Sequence, residues 1–238
     1  MDIFGDAIRD YHEGKRPKIL IQRDDGHDDM FSPKTYFRSY KDFDLIEKRA
    51  LRHVKGRVLD VGCGPGRVAL YLQRKGHKVT GIDCSDVTAQ VARERGVKDC
   101  RVMDVRRLQF KPGSFDTIVM FGNNFGICGT KGETKKMLRD FHKITSKNGR
   151  IIAHTMAPGA DRDVHRSYLQ WNLERGRDIG HVTLIFEYKG EKGKPFEELF
   201  VSPVEMMRLC YETRWEVVDI LADGPLSKGY IAIAEKVL

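Results

Sequence analysis

The stretch that most constrains this chain is RVLDVGCGPGRVALYLQRKGHKVTGID, residues 57–83. A short apolar run meets three close glycines, an amphipathic stretch follows, and a second apolar run ends on an acid. That order is a nucleotide-binding βαβ unit. Glycines at Gly62, Gly64 and Gly66 let a ligand approach the backbone with no Cβ in the way. The spacing is GxGxG, not GxGxxG: Arg67 stands where a dinucleotide loop places its third glycine, and Pro65 stiffens the turn. Asp60, just before the loop, opposes a pyrophosphate and favours positive charge on the ligand. No GxxxxGKS or GxxxxGKT run occurs, which excludes a P-loop.

The same rhythm continues downstream. Hydrophobic patterning predicts strands at 57–61, 77–83, 98–105, 114–122 and 150–157. Helices are expected at 67–76, at 86–96 and over 133–149, the last stopped by Asn148-Gly149. Strands separated by helices of this length predict an α/β, Rossmann-like, doubly wound and mostly parallel sheet covered on both faces. After the fifth strand the pattern changes. A helix at 160–176 and a β-hairpin made of HVTLIFEYKG and PFEELFVS read as a cap inserted at about 158–201. Ser202, Pro203 and Glu205 open a further helix. WEVVDIL and YIAIAEKV, joined through Gly224, Pro225 and Gly229, then pair antiparallel at the sheet edge. Residues 1–50 are expected to form a helical segment covering the ligand site, and 51–238 one domain carrying the cap.

Acids end successive strands. Asp83, about twenty residues beyond the loop, suits the two hydroxyls of a ribose, and Asp104 suits an adenine amino group. Five cysteines without CxxC spacing argue against zinc or a disulfide framework, and no metal is expected. DDGHDD at 24–29 lacks the remaining ligands of a calcium loop and reads as a solvated turn. No segment has the length of a signal-peptide core or a membrane span, which implies a cytoplasmic protein with no membrane partner. The net charge of +8 and the basic run at 48–57 admit RNA as a partner, although most basic residues are interleaved with acids.

Taken together, VLDVGCGPGRVALYLQRKGHKVTGIDCS, RVMDVRRL and FDTIVMFGN resemble the class I S-adenosylmethionine-dependent methyltransferases over about residues 55–157, plus the last helix and two strands. The resemblance implies seven strands with an antiparallel last one. It implies S-adenosyl-L-methionine as cofactor and S-adenosyl-L-homocysteine as product, the ammonium and sulfonium supplying the charge that Asp60 calls for. By the same resemblance Asp60, Gly62, Cys63, Gly64 and Gly66 belong to the methionine end. Asp83 belongs to the ribose, and Cys84, Asp104 and the backbone at Val105 to the adenine. Phe121, Gly122 and Asn123 are expected near the transferred methyl.

The segment after the fourth strand is FGNNFG, not the Pro-Pro-aromatic loop of relatives that methylate nucleobase amines. The inserted cap is similar to lids of small-molecule methyltransferases. A small-molecule acceptor is therefore the expectation; an RNA- or protein-modifying enzyme and a non-catalytic cofactor-binding partner are the alternatives. Candidate catalytic residues are Asn123, His154 as a general base, and Tyr36, which with Phe37 and Tyr40 would close over the cofactor. His165, Tyr168, Trp171, His181 and Tyr188 of the cap either wall a pocket or pack as a helical and strand face.

Overall fold

A computed structural model describes residues 2–159, 163–224 and 229–237, with side chains in the cap helix described from Arg166 onward. In chain order the elements are α1 (Ile3–His12), β1 (Ile19–Arg23), β2 (Asp28–Phe31), α2 (Leu45–Ala50), β3 (Val58–Val61), α3 (Arg67–Arg74), β4 (Val79–Asp83), α4 (Asp86–Glu94) and β5 (Cys100–Val102). They continue with β6 (Phe115–Met120), α5 (Lys131–Ile144), β7 (Thr145–Met156), α6 (Asp163–Glu174), β8 (His181–Tyr188), β9 (Glu191–Lys192), β10 (Phe196–Leu199), α7 (Pro203–Tyr211), β11 (Trp215–Leu221) and β12 (Gly229–Lys236).

The βαβ rhythm builds a seven-stranded sheet in the order β11-β12-β7-β6-β3-β4-β5. β3 to β7 run parallel, and β12 lies antiparallel to both β7 and β11. β3 is buried at all four positions, as a strand covered on both faces requires. One face packs against Met137, Leu138 and Phe141 of α5 and Leu209 of α7. The other takes Ile46 and Ala50 of α2, Val68 and Leu72 of α3, and Ala89 and Ala92 of α4.

Two boundaries differ from expectation. α5 ends at Ile144 and β7 begins at Thr145, so Asn148-Gly149 lies inside a strand. The register with β6 jumps from Phe115↔Thr145 to Thr117↔Arg150, and the turn-forming pair is absorbed in that irregularity. β5 is only three residues long, because Asp104 leaves the ladder and caps a 3-10 turn, accepting from the Arg106 N–H at 2.9 Å.

A second, wholly antiparallel sheet has the order β10-β8-β1-β2, with β9 paired to β8. Residues 1–50 are thus not the helical cover expected: α1 and α2 are helical, but β1 and β2 form a hairpin that joins the cap hairpin edge to edge. The DDGHDD run is the turn of that first hairpin. Asp25 pairs with Arg23 at 2.7 Å, and Asp24 accepts from Tyr168 Oη and Arg177, each at 2.6 Å. No group of three or more metal-ligating side chains occurs among the described residues. Pro225, expected in the last connection, and the His165 side chain lie outside the described residues.

The second sheet is seated by close backbone approach. A Cβ on Gly126, just after β6, would fall 1.8 Å from the Leu199 carbonyl oxygen of β10, so only glycine lets the cap strand dock there.

Candidate functional site

Between the two sheets, at the carboxyl ends of β3, β4 and β6, lies a cavity of about 790 Å³. Ligands of open α/β sheets bind at this edge, and the volume falls within the usual ~300–1,000 Å³ of small-molecule sites. Of the residues singled out from sequence, Tyr36, Asp60, Gly62, Cys63, Gly64, Asp83, Cys84, Asp104, Val105, Phe121 and Gly122 line it.

The electrostatics are concentrated at the glycine loop. Asp60 is 2% exposed, and its Oδ2 has no hydrogen-bond partner among the described residues. Burial pushes its carboxyl up to about 7, against the pull of the Arg67 guanidinium. Arg67 opens α3 and also lines the cavity. It is anchored through Nη2 to Glu47 Oε1 at 2.5 Å and lies over the Phe43 ring at 4.8 Å. Its Nη1 is buried and unpartnered among the described residues. Buried polar atoms are normally satisfied, so a carboxylate oxygen and a guanidinium nitrogen left open beside one cavity suit a ligand that carries both charges. Asp83 accepts from the Gly64 N–H through Oδ2 and from the Ser85 N–H through Oδ1, each at 3.0 Å, and burial raises its pKa.

Three expected site residues do not line the cavity. Gly66 sits behind the loop at φ +85°, where a Cβ would meet Val97 at 2.4 Å; it serves helix packing. His154 is turned away from the ligand side: its Nδ1 accepts from the Asn123 N–H at 2.9 Å, and burial lowers its pKa. Asn123 also stands one layer back. Its Oδ1 accepts from Thr155 Oγ1 at 3.1 Å and the Met156 N–H at 2.9 Å. Its Nδ2 donates to Glu198 Oε2 at 3.0 Å, and it is Glu198 that lines the cavity. Asp104 reaches the cavity rim, but its two oxygens also hold Arg106, which keeps its pKa below the usual range.

The second sheet and α1 supply what the sequence did not reveal. Phe4, Phe186, Phe196 and Glu198 line the cavity with Tyr36. Phe4 meets Tyr36 edge-on at 5.3 Å and stacks with Phe186 at 5.8 Å, and Phe186 meets Phe196 at 4.6 Å. Burial pushes Glu198 up to about 7 and the Tyr36 phenol up to about 12. Phe37 and Tyr40 pack instead on Tyr11 and Tyr71. Tyr168 and Trp171 stack on one another at 5.3 Å and fasten α6 to the N-terminal hairpin rather than walling the cavity. His181 and Tyr188 bond to Thr183 and Asp10. The alternation of FEELF was a usable signal: it sets Phe196 and Glu198 on one face of β10.

A sheet of this order, with a glycine loop after its first core strand and an acid after the next, is the arrangement of the class I S-adenosylmethionine-dependent methyltransferases, and the comparisons support that family for this chain. A family described as a methyltransferase domain matches residues 58–149. The chain is similar to a methyltransferase from Bacteroides fragilis solved in complex with S-adenosyl-L-homocysteine: TM-score 0.84, 27% identity, 100% of this chain and 95% of that one covered. It is 26% identical over 162 residues to YqeM of Bacillus subtilis, which bears a methyltransferase name, covering 60% of this chain and 65% of that protein. It is 29% identical over 144 residues to a malonyl-(acyl-carrier protein) O-methyltransferase of Erwinia pyrifoliae, covering 56% of this chain and 53% of that enzyme. The matches thus span between half and two thirds of those two relatives' length. Among the described residues no helix is long and apolar enough to cross a membrane.

Proposed function

We propose that this chain transfers the methyl group of S-adenosylmethionine to a small molecule held between the glycine loop and the second sheet. The observation that carries the reading is the cavity itself, which joins Asp60 and Arg67, with Oδ2 and Nη1 left unpartnered among the described residues, on one wall to Glu198 and four aromatic rings on the other. S-adenosylmethionine, when bound, supplies an electrophilic methyl on a sulfonium. Asp60 Oδ2 would hold its ammonium, Arg67 Nη1 its carboxylate and Asp83 its ribose hydroxyls. Gly64, where a Cβ would meet nothing nearer than Tyr36 at 3.9 Å, would leave room for the part of the ligand between them, while the space beside Gly62 is taken by the Asn124 amide. Cys84, Asp104 and Val105 would flank the adenine, with Phe121 and Gly122 close to the methyl. The remaining task of the protein is alignment of acceptor and methyl, which supplies much of the rate in an in-line displacement.

The acceptor class follows from the enclosure. Aromatic walls that exclude water suit a small molecule. The basic run at 48–57 leads instead to the amino end of the sheet, where Arg57 pairs with Asp116 at 3.0 Å, away from the cavity. Purified protein, methyl-labelled S-adenosylmethionine and a cell extract split by size test the reading. Label in the small-molecule fraction is the expected result. Label only in macromolecules, lost on nuclease treatment, would make RNA the acceptor and contradict it.

A further inference from the structure

We propose that Glu198 is the general base of this site, taking the proton from a hydroxyl or amine on a ring-bearing acceptor seated among Phe4, Tyr36, Phe186 and Phe196. The proposal rests on the methyl-transfer reading and deepens it.

The geometry around Glu198 is that of a positioned carboxylate. Asn123 has every polar group committed: its N–H to His154, its Oδ1 to Thr155 and Met156, and its Nδ2 to Glu198 Oε2. It is held at φ +72°, a conformation that costs free energy for a residue other than glycine and persists where the surroundings over-determine it. The outcome is one fixed amide hydrogen bond to one carboxylate oxygen, while Oε1 carries no hydrogen bond among those described. No cation pairs with Glu198 among the described residues. Its surroundings on the cavity side are aromatic, so the proton-binding form is favoured at rest and the group is poised near neutrality. The titratable groups nearby are Tyr36 from the N-terminal turn, whose phenol Glu198, Arg67 and Asp83 all influence, and Lys194 and Glu197 on its own segment. His154 lies behind Asn123.

The step balances without a further reagent. The acceptor X–H gives its proton to the Glu198 carboxylate as X forms a bond to the methyl carbon. The bond from that carbon to sulfur breaks, and its electron pair stays on sulfur. A neutral acceptor, a sulfonium and a carboxylate become a methylated acceptor, a thioether and a carboxylic acid. Four rings with centroids 4.6–5.8 Å apart between neighbours give a planar acceptor its stacking partners.

The experiment uses the full chain, methyl-labelled S-adenosylmethionine and the small-molecule fraction of a cell extract. It compares wild type with Glu198→Gln and Glu198→Asp, and products are identified by mass. Calorimetry with S-adenosyl-L-homocysteine serves as the second readout. Wild-type transfer is expected to rise with pH through about 7 and then level, since the base works deprotonated. Glu198→Gln should bind S-adenosyl-L-homocysteine within about twofold of wild type, transfer about 10²–10⁴-fold more slowly and lose the rise with pH. Glu198→Asp should keep the pH dependence at a reduced rate. A Gln variant with the wild-type rate and profile would overturn the proposal. So would one whose transfer falls only in step with cofactor affinity, or labelled products without a ring. A wild-type protein that binds S-adenosyl-L-homocysteine and labels nothing would overturn the methyl-transfer reading, and the proposal with it.

Discussion

The glycine-loop wall and the second-sheet wall face one another across one cavity, yet they are built in opposite ways. The first is local: Asp60, Gly62, Gly64, Arg67 and Asp83 lie within one βαβ unit, and backbone turns place them. The second is assembled from distant segments, with Ile21 of β1 opposite Phe186 of β8 and Leu199 of β10 seated on the turn at Gly126. On the proposed reading, a cofactor shared by a family is met by the part that a short motif specifies. The acceptor, which differs between relatives, would be met by the part that only tertiary assembly creates.

The difference in construction predicts a difference in stability. Phe141, fully buried against the main sheet, should cost about 3–5 kcal/mol when replaced by alanine and lower the urea midpoint of the whole chain. Phe186→Ala should act mainly on the second sheet, read as faster amide exchange in β1 and β8 with a smaller midpoint change. Equal midpoint losses would show that both walls unfold as one unit.

Gly126→Ala separates the walls by a different route. The new Cβ meets backbone and cannot be relieved by a side-chain rotation, so an overpacking cost of about 1–3 kcal/mol is expected. S-adenosyl-L-homocysteine affinity should survive while transfer to the acceptor drops. Loss of both together would mean that the cap supports the cofactor wall as well.

Asp60→Asn should weaken S-adenosyl-L-homocysteine by about 1–3 kcal/mol in calorimetry, the scale of a hydrogen bond to a charged group. The wild-type affinity should itself fall as pH drops below about 7, where the free carboxyl takes a proton. Stability runs the other way. From the ordinary 3.8 up to about 7 the folded state holds a proton that the unfolded chain has shed, so stability falls as pH rises through that window. The Asn variant is therefore expected to melt higher than wild type above neutrality and close to it below pH ~4. A melting temperature equal to wild type at all pH values would contradict an uncompensated buried carboxyl. The smallest effect is expected at the half-exposed Arg177–Asp24 pair, where Arg177→Ala should cost only about 0–1 kcal/mol and less in high salt.

Legibility followed the same division. GxGxG and the acids at 60 and 83 were readable because consecutive residues fix both strand ends and turn. Gly66 was readable as a glycine requirement but not as packing against Val97, which lies on the far side of α4 in sequence. Asn123 was found and misplaced by one layer, since only the fold turns its amide toward Glu198. Glu198 was missed because its alternation sits in a four-residue strand whose partner β8 gains its meaning from β1. Residues 19–23 read poorly for that reason too: beside the hairpin partner β2, β1 pairs with β8 more than 150 residues away.

The most direct test of the two-wall account is a crystal structure of this chain with S-adenosyl-L-homocysteine. The expected result has the amino-acid end on Asp60 and Arg67, the ribose on Asp83, and the sulfur facing the Glu198 side of the cavity. An amino-acid end that leaves Asp60 and Arg67 unpartnered, or a sulfur pointing away from the second sheet, would contradict it.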